Sequence, residues 1–138
     1  MSETLSQLVF KVAEQLLEAA NREDAQAFGE GYELLKRLCE ESETEPANHP
    51  LQWEALADFT EDYTQARQYY EKSYALAETI DAVEHLASVS LALALLSEDE
   101  GDIEQAYMLA KRAAGHAADI SDQDLKDEIQ VLVKHLTQ

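Results

Sequence analysis

Apolar residues recur at spacings of three and four along most of the chain, a period typical of amphipathic α-helices. In the first segment, Leu5, Leu8, Val12 and Leu16 follow this spacing. No segment alternates apolar and polar residues between turn residues, so we expect no β-strand. The pattern predicts seven helices, at about residues 3–20, 24–41, 51–60, 63–79, 81–97, 103–118 and 122–136.

Composition and the positions of proline support this all-α prediction. Ala (21), Leu (19) and Glu (19) are strong helix formers and make up more than two fifths of the 138 residues. Both prolines, Pro46 and Pro50, lie in residues 43–50. Because proline lacks an amide hydrogen and clashes with the preceding helical turn, this stretch is predicted to be a loop between the second and third helices.

Two pairs of polar residues have the spacing of N-terminal helix caps. Asp81 and Glu84 resemble a capping box, in which each side chain accepts a hydrogen bond from a free backbone N–H, at the start of the fifth helix. Ser121 and Asp124 form a similar pair before the seventh helix. The fifth helix is apolar on nearly all sides, so we expect most of it to be buried. Its apolar residues are Val83, Leu86, Val89, Leu91, Leu93, Leu95 and Leu96.

One segment of the chain recurs after 40 residues. Residues 61–73 align with residues 101–113, and each copy has an acidic turn, an apolar anchor and then a small residue. A weaker third copy begins at Ala27, 39 residues before Ala66. Such a repeat indicates stacked helical units, about three of which are needed to bury a core. The aligned pairs are Tyr63 and Ile103, Ala66 and Ala106, Tyr70 and Ala110, and Ser73 and Ala113.

The repeat resembles the tetratricopeptide repeat family. Residues 61–73 are similar to the second helix of that motif, and Trp53, Leu56 and Ala57 are similar to the aromatic, leucine and small residue of its first helix. The spacing of 40 is longer than the usual 34. The resemblance implies a single domain over residues 1–138, an all-α fold in which a right-handed α-α superhelix is closed by a capping helix. Its three helical hairpins would lie at about residues 3–41, 51–79 and 81–118, and its capping helix at 122–136.

The charge of the chain narrows the classes of partner. It has 29 acidic and 10 basic residues, a net charge of −19, and no basic segment. Because nucleic-acid backbones and anionic membranes are bound by clustered Lys and Arg, we expect neither partner. The longest apolar run, Leu91 to Leu96, is too short to span a bilayer, and the first residues lack the basic stretch of a secretory signal. A cytoplasmic protein is therefore expected.

The sequence contains no recognisable catalytic or metal-binding motif. It has no GxxxxGK[ST] phosphate-binding loop and no HExxH, and none of its four histidines has another His or Cys at metal-ligand spacing. Cys39 is the single cysteine, which excludes an intrachain disulfide, and it is interpreted as a packing residue. We therefore expect a protein that is not an enzyme, with no catalytic residues, no metal and no cofactor.

The family resemblance implies a non-catalytic protein–protein interaction module, an adaptor or scaffold. In that family, the first helices of successive hairpins line a concave groove that holds a peptide or helix of a partner protein. The acidity of this chain favours a basic or amphipathic segment as the bound partner. Mapped onto this sequence, the predicted partner-binding residues are Val12, Leu16, Leu51, Ala55, Asp58, Ser88, Leu91 and Leu95.

Two other functions are compatible with the same features, and a third, an acidic decoy, is disfavoured. A self-assembling structural protein would form a homodimer through the apolar fifth helix and through Phe10 and Leu17, which lie off the main apolar stripe of the first helix. The chain also resembles small acidic chaperones of bacterial secretion, which hold unfolded partner segments. An acidic decoy for a nucleic-acid-binding protein would need carboxylates in two rows, whereas the acidic residues here are spread along the chain.

Overall fold

The structure, a computed structural model, describes residues 4–138, and these are folded into seven α-helices without a β-strand. The all-α prediction is confirmed, and the helix ends lie within two residues of their predicted positions. The predicted start at Glu3 lies outside the described residues. The helices are α1 (Leu5–Asn21), α2 (Ala25–Ser42), α3 (Pro50–Asp58), α4 (Tyr63–Thr79), α5 (Val83–Asp99), α6 (Ile103–Ala117) and α7 (Gln123–Leu136).

The chain divides into two compact units. The first comprises the residues up to Tyr69 and the second comprises the residues from Tyr70 onwards, so the boundary falls within α4. In the first unit, α1 and α2 lie along each other and α3 contacts both of them. In the second unit, α5 and α6 share an extensive interface, and α7 packs against α6.

The core of the first unit lies where the apolar face of α1 meets α2 and α3. A Cβ atom at position 31 would lie 3.0 Å from Leu16 Cδ2, so Gly31 permits α2 to approach α1 closely. Leu16 is fully buried and has little room to move aside. The buried apolar residues of this core are Val9, Val12, Leu16, Ala19, Leu35, Cys39, Trp53, Leu56 and Ala57.

The predicted loop between α2 and α3 is present and is tied to α3 by side chains. The chain is non-helical from residue 43 to residue 49, and Pro50 is the first residue of α3, where its missing N–H leaves no hydrogen bond unmade. Trp53 Nε1 donates to Asn48 Oδ1 at 2.7 Å, and Asn48 Nδ2 donates to the Glu43 carbonyl at 2.9 Å. The loop therefore has a defined conformation despite its polar sequence.

The core of the second unit is formed mainly by α5 and α6. Nine of the 17 residues of α5 are buried, in agreement with its apolar pattern. The facing side of α6 is built of alanines, whose small side chains allow the two helices to approach closely. Ile129 and Leu132 of α7 are also buried. The buried alanines of α6 are Ala106, Ala110, Ala113 and Ala117.

Three connections between helices share one backbone conformation. Glu23, Asp81 and Gly101 have φ values of 55°, 52° and 83°, in the left-handed region. In each connection, the amide of the following residue donates to a carbonyl five residues earlier, which closes the preceding helix. The three bonds are Asp24 N to Ala19 O, Ala82 N to Ala77 O and Asp102 N to Ser97 O, each of 2.9 Å.

Both predicted N-cap pairs are wrong. Asp81 is the left-handed residue of a turn, and Ala82, which has no capping side chain, is the N-cap of α5. The capping turn that ends α4 occupies Asp81 and shifts the start of α5 by one residue. At α7 the cap is Asp122 instead of Ser121, and its side chain accepts a hydrogen bond from the Leu125 amide at 3.1 Å.

Aspartate caps define the register of the repeat. An aspartate directly precedes α2, α4 and α6, and each side chain accepts from the backbone amide three residues later. The caps lie 38 and 40 residues apart, which places Phe28 at the position of Ala66 and Ala106. The alignment that begins the first copy at Ala27 is therefore wrong by one residue. The caps are Asp24, Asp62 and Asp102.

Burial follows the repeat in the second and third copies, except at the apolar anchors. Tyr63 and Ile103 are 44% and 47% exposed, so they do not anchor a core. Each is the first residue of its helix, directly after the aspartate cap. The buried aligned residues are Ala66, Tyr70 and Ser73 in the second copy, and Ala106, Ala110 and Ala113 in the third.

Candidate protein-interaction site

The predicted groove residues of the first unit divide into core and surface. Val12 and Leu16 lie one turn apart on α1, and both are buried where α1 meets its neighbours. Leu51, Ala55 and Asp58 follow a spacing of four and three on α3, and they are half-buried, half-buried and exposed. Val12 and Leu16 are thus core residues, and their assignment as partner contacts is corrected. The α3 residues keep accessible surface.

The groove residues of the second unit divide in the same way. Leu91 of α5 is buried in the core of the second unit, so it offers little side-chain surface to a partner. Ser88 is half-buried, and Leu95 is 39% exposed. The sequence could not separate Leu91 from the accessible residues, because an almost wholly apolar helix gives no signal for which of its sides remains uncovered. Leu91 is therefore also corrected from contact residue to core residue.

An open cleft of about 640 Å³ lies in the first unit, between α2, the segment that joins α3 to α4, and the first turns of α4. We call it the aromatic cleft, because three half-buried aromatic side chains line it. The rings of Phe28 and Phe59 meet edge to face, with centroids 6.1 Å apart. The lining residues are Phe28, Gly29, Tyr32, Glu33, Phe59, Thr60, Glu61, Asp62, Thr64, Gln65 and Gln68.

A hydrogen-bonded bridge fixes the third ring of the cleft. The Tyr32 and Thr60 hydroxyl oxygens are 2.7 Å apart, and Thr60 Oγ1 donates to the Leu56 carbonyl at 2.7 Å. Because a threonine hydroxyl has one proton, Tyr32 must donate and Thr60 must accept in the first of these bonds. The bridge links α2 to the C-terminal end of α3 and holds the Tyr32 ring at the cleft.

The carboxylates of the cleft give it a negative potential. Glu33, Glu61 and Asp62 are exposed and line it, and no Lys, Arg or His is among the described residues that do so. A neighbouring cleft of about 370 Å³ shares Phe28, Gly29 and Glu61 and adds two further carboxylates. Asp62 Oδ1 accepts from the Gln65 amide, so one of its oxygens already has a partner. The two added carboxylates belong to Glu23 and Asp24.

Tyr69 follows the cleft residue Gln68 and lies in an environment that disfavours its ionised form. Burial raises the pKa of the Tyr69 phenol above its ordinary value, and the Coulombic effects of neighbouring groups, among them Tyr32 and Glu33, raise it further. The Tyr69 ring lies against Trp53, with centroids 5.9 Å apart. A phenolate is therefore disfavoured at this position, chiefly because the side chain is partly buried.

Polar side chains outside the cleft include some that form structural contacts. Cys39 Sγ donates to the Gln52 carbonyl at 3.2 Å and is buried, as its interpretation as a packing residue requires. His116 Nε2 lies 2.9 Å from the Tyr74 hydroxyl. Among residues 4–138, no three His, Cys, Asp or Glu side chains are grouped closely enough to hold a metal ion. In the same range, no helix combines the length and the apolar character that crossing a bilayer requires.

Comparisons with protein-family models, with curated proteins and with solved structures gave no match to this chain. The family resemblance of the repeat therefore remains an interpretation of the sequence. The inference of function depends on the chemistry of the cleft.

The sequence contained a signal for the aromatic cleft that the repeat alignment missed. An alignment that begins the first copy at Ala27 places Phe28 outside the small-residue position. Alignment on the aspartate caps shows a phenylalanine where the other two copies have a buried alanine, Ala66 or Ala106. A large aromatic residue at a small-residue position, half-buried rather than buried, marks a local departure from the repeat.

Proposed function

We propose that this protein is a non-catalytic protein–protein interaction module that binds a basic segment of a partner protein in the aromatic cleft. The observation that carries the proposal is the combination of three half-buried aromatic rings with three exposed carboxylates in one open cleft. Aromatic side chains at accessible concave positions are typical of binding sites, because they bury a large area with little loss of conformational freedom.

The module is proposed to be a right-handed superhelix of three helical hairpins with α7 as its cap, of the tetratricopeptide kind. The recurring aspartate caps and the buried small residues of α4 and α6 support this arrangement. Leu51, Ala55, Asp58, Ser88 and Leu95 retain surface and remain candidates for further contacts with the partner. A cytoplasmic site of action is part of the proposal, since a chain with a single cysteine can form no intrachain disulfide.

The charge of the cleft selects the chemistry of its occupant. Carboxylates at the edge of a site attract a cationic segment, speed its association and repel acidic competitors. The net charge of −19 adds a long-range attraction that salt screens over about 8 Å at physiological ionic strength. A peptide with basic and apolar residues satisfies both the rings and the carboxylates, so it is the occupant to which the proposal commits.

A display selection tests the proposal. Random twelve-residue peptides would be selected against the wild-type protein and then measured against Gly29→Trp. A Cβ at position 29 meets nothing within 4 Å, and Gly29 lines the cleft, so the indole fills the cleft without disturbing the core. Gly115→Trp is the matched control, because Gly115 is also helical and also open, and it lies on α6.

We expect the selected peptides to be enriched in basic and apolar residues and to bind the Gly115→Trp variant as well as the wild type. Their affinity for Gly29→Trp should fall at least tenfold, which corresponds to about 1.4 kcal/mol. Equal affinity for the two variants would place the binding site elsewhere and overturn the proposal.

Self-association is a second candidate function, supported by one observation. Phe10 and Leu17 are 59% and 57% exposed and lie two turns apart on α1. The apolar side chains of α5, in contrast, are mostly buried within the second unit, so α5 does not offer a broad free face. A homodimer would therefore use α1. Sedimentation of the wild type and of Phe10→Ser at micromolar concentration tests this, since only a dimer through α1 would dissociate on substitution.

A further inference from the structure

We propose that the aromatic cleft is an arginine-binding site, in which a guanidinium group of the partner lies against the rings and pairs with the carboxylates. The inference rests on the proposed function, because it names the group of the bound segment that the cleft recognises. It makes the cleft selective among cations, whereas charge alone would accept any basic side chain.

The rings provide the first part of this recognition. Phe28 and Phe59 pack edge to face and are both half-buried, so part of each ring remains accessible from the cleft. The Tyr32 hydroxyl is held by Thr60, which orients the third ring. A cation over an aromatic face is attracted by the ring quadrupole, and the attraction increases as water is displaced.

The carboxylates provide the second part. Glu33 lies on α2, and Glu61 lies in the segment that follows α3. The two carboxylates therefore line the cleft from different parts of the chain. Asp62 is less available because its Oδ1 already caps α4. Exposed ion pairs alone contribute little to affinity, so the carboxylates act as orienting partners for a cation that the rings hold.

Arginine fits this combination better than lysine does. A guanidinium group is planar, so it stacks on rings while its N–H groups point outward in the plane toward carboxylates. A lysine ammonium group is a strongly hydrated point charge, and it must lose more hydration to enter an aromatic site. A cleft with rings and carboxylates together therefore discriminates between two side chains of equal charge.

The position of the cleft in the repeat supports a binding role over a core role. At the position of Phe28, the other two copies have Ala66 and Ala106, and both are buried. A phenylalanine that served only to fill a core would be buried as they are. Phe28 is instead half-buried and lines two clefts.

The test uses three capped pentapeptides, acetyl-Gly-Ala-Xaa-Ala-Gly-amide, in which the central residue is arginine, lysine or citrulline. Citrulline has nearly the shape of arginine without its charge. Each peptide would be titrated at physiological salt into the ¹⁵N-labelled full chain, and the amide signals of Gly29, Glu61 and Gln65 would be followed. The double variant Glu33→Gln with Glu61→Gln removes the carboxylates, and Glu71→Gln with Glu128→Gln, at two exposed positions outside the cleft, is its control.

We expect the arginine peptide to shift these signals in a saturable way, at least fivefold more tightly than the lysine peptide and tenfold more tightly than the citrulline peptide. The cleft double variant should lose most of this preference and the control variant should keep it. Equal affinities for the three peptides, or shifts spread evenly over the acidic surface, would overturn the arginine site. The proposed function would survive that result if the display-selected peptides still required an open cleft at Gly29. The proposed function would fail, and the arginine site would survive, if the arginine peptide bound the cleft while the selected peptides bound Gly29→Trp and the wild type equally.

Discussion

At the scale of single residues, close approaches decide which substitutions the first unit tolerates. Gly29 and Gly31 lie two positions apart on α2, so both lower helix stability by about the same amount relative to alanine. Only Gly31 faces a neighbour, the fully buried Leu16.

We expect Gly29→Ala to raise the free energy of unfolding by about 0.5–1 kcal/mol. Gly31→Ala should lower it by roughly 1–3 kcal/mol, because the added methyl group overpacks the contact with Leu16. Denaturant unfolding of both variants and the wild type measures the difference. If Gly31→Ala were as stable as Gly29→Ala, α2 would not approach α1 as closely as described.

A buried hydroxyl in the second unit leads to a second prediction. Ser90 is fully buried on α5, and its Oγ has no hydrogen-bond partner among the described residues. Because an unsatisfied buried polar atom costs about 1–3 kcal/mol, Ser90→Ala should raise the free energy of unfolding by about 1 kcal/mol. Ser97→Ala, at another buried serine of the same helix, is the comparison. A loss of stability in Ser90→Ala would mean that the hydroxyl is hydrogen-bonded in solution.

The raised pKa of Tyr69 makes stability depend on alkaline pH. The folded chain disfavours the phenolate, so the contribution of Tyr69 is complete below the ordinary tyrosine pKa of about 10. It is lost as the pH rises through the higher pKa of the folded state, since the unfolded chain then ionises first. Between pH 9.5 and 11, the unfolding free energy of the wild type should fall more steeply than that of Tyr69→Phe. If the unfolding free energies of the two proteins changed in parallel with pH, the pKa of Tyr69 would not be raised in the folded chain.

At the scale of helices and turns, the left-handed residues give a prediction that separates two interpretations of Asp81. If Asp81 were the cap of α5, replacing it with glycine would cost stability. Since it has a φ of 52°, glycine should fit better. We expect Asp81→Gly to raise the free energy of unfolding by about 1 kcal/mol, and Gly101→Ala to lower it by about 1 kcal/mol. Thermal unfolding of both variants decides the matter, and a loss in Asp81→Gly would restore the capping box.

The positions of the helices could be predicted from the sequence, whereas the details of their ends could not. Helical periodicity and proline are local signals, which is why α1 to α7 lie within two residues of their predicted ends. A cap depends on how the preceding helix ends. Asp81 and Asp102 look alike in sequence, yet one is the left-handed residue of its turn and the other follows such a residue.

At the scale of the whole molecule, the all-α fold class could be predicted from composition and periodicity, but the position of the candidate site could not. Val12, Leu16 and Leu91 fit the predicted groove by spacing, and they are buried because neighbouring helices cover that face. Which face a helix buries depends on its tertiary neighbours, and periodicity cannot show this for a helix as apolar as α5. Phe28 stands out in the sequence only in the register that the aspartate caps define, and those caps are features of the folded chain.

The proposed binding of the partner in the aromatic cleft can be measured directly. The direct measurement is calorimetric titration of one selected basic peptide into the wild type, Gly29→Trp and Gly115→Trp, at equal salt and equal folded fraction. We predict the same dissociation constant for the wild type and Gly115→Trp, and a constant at least ten times larger for Gly29→Trp. The same constant for all three proteins would contradict the account, because the peptide would then bind outside the cleft.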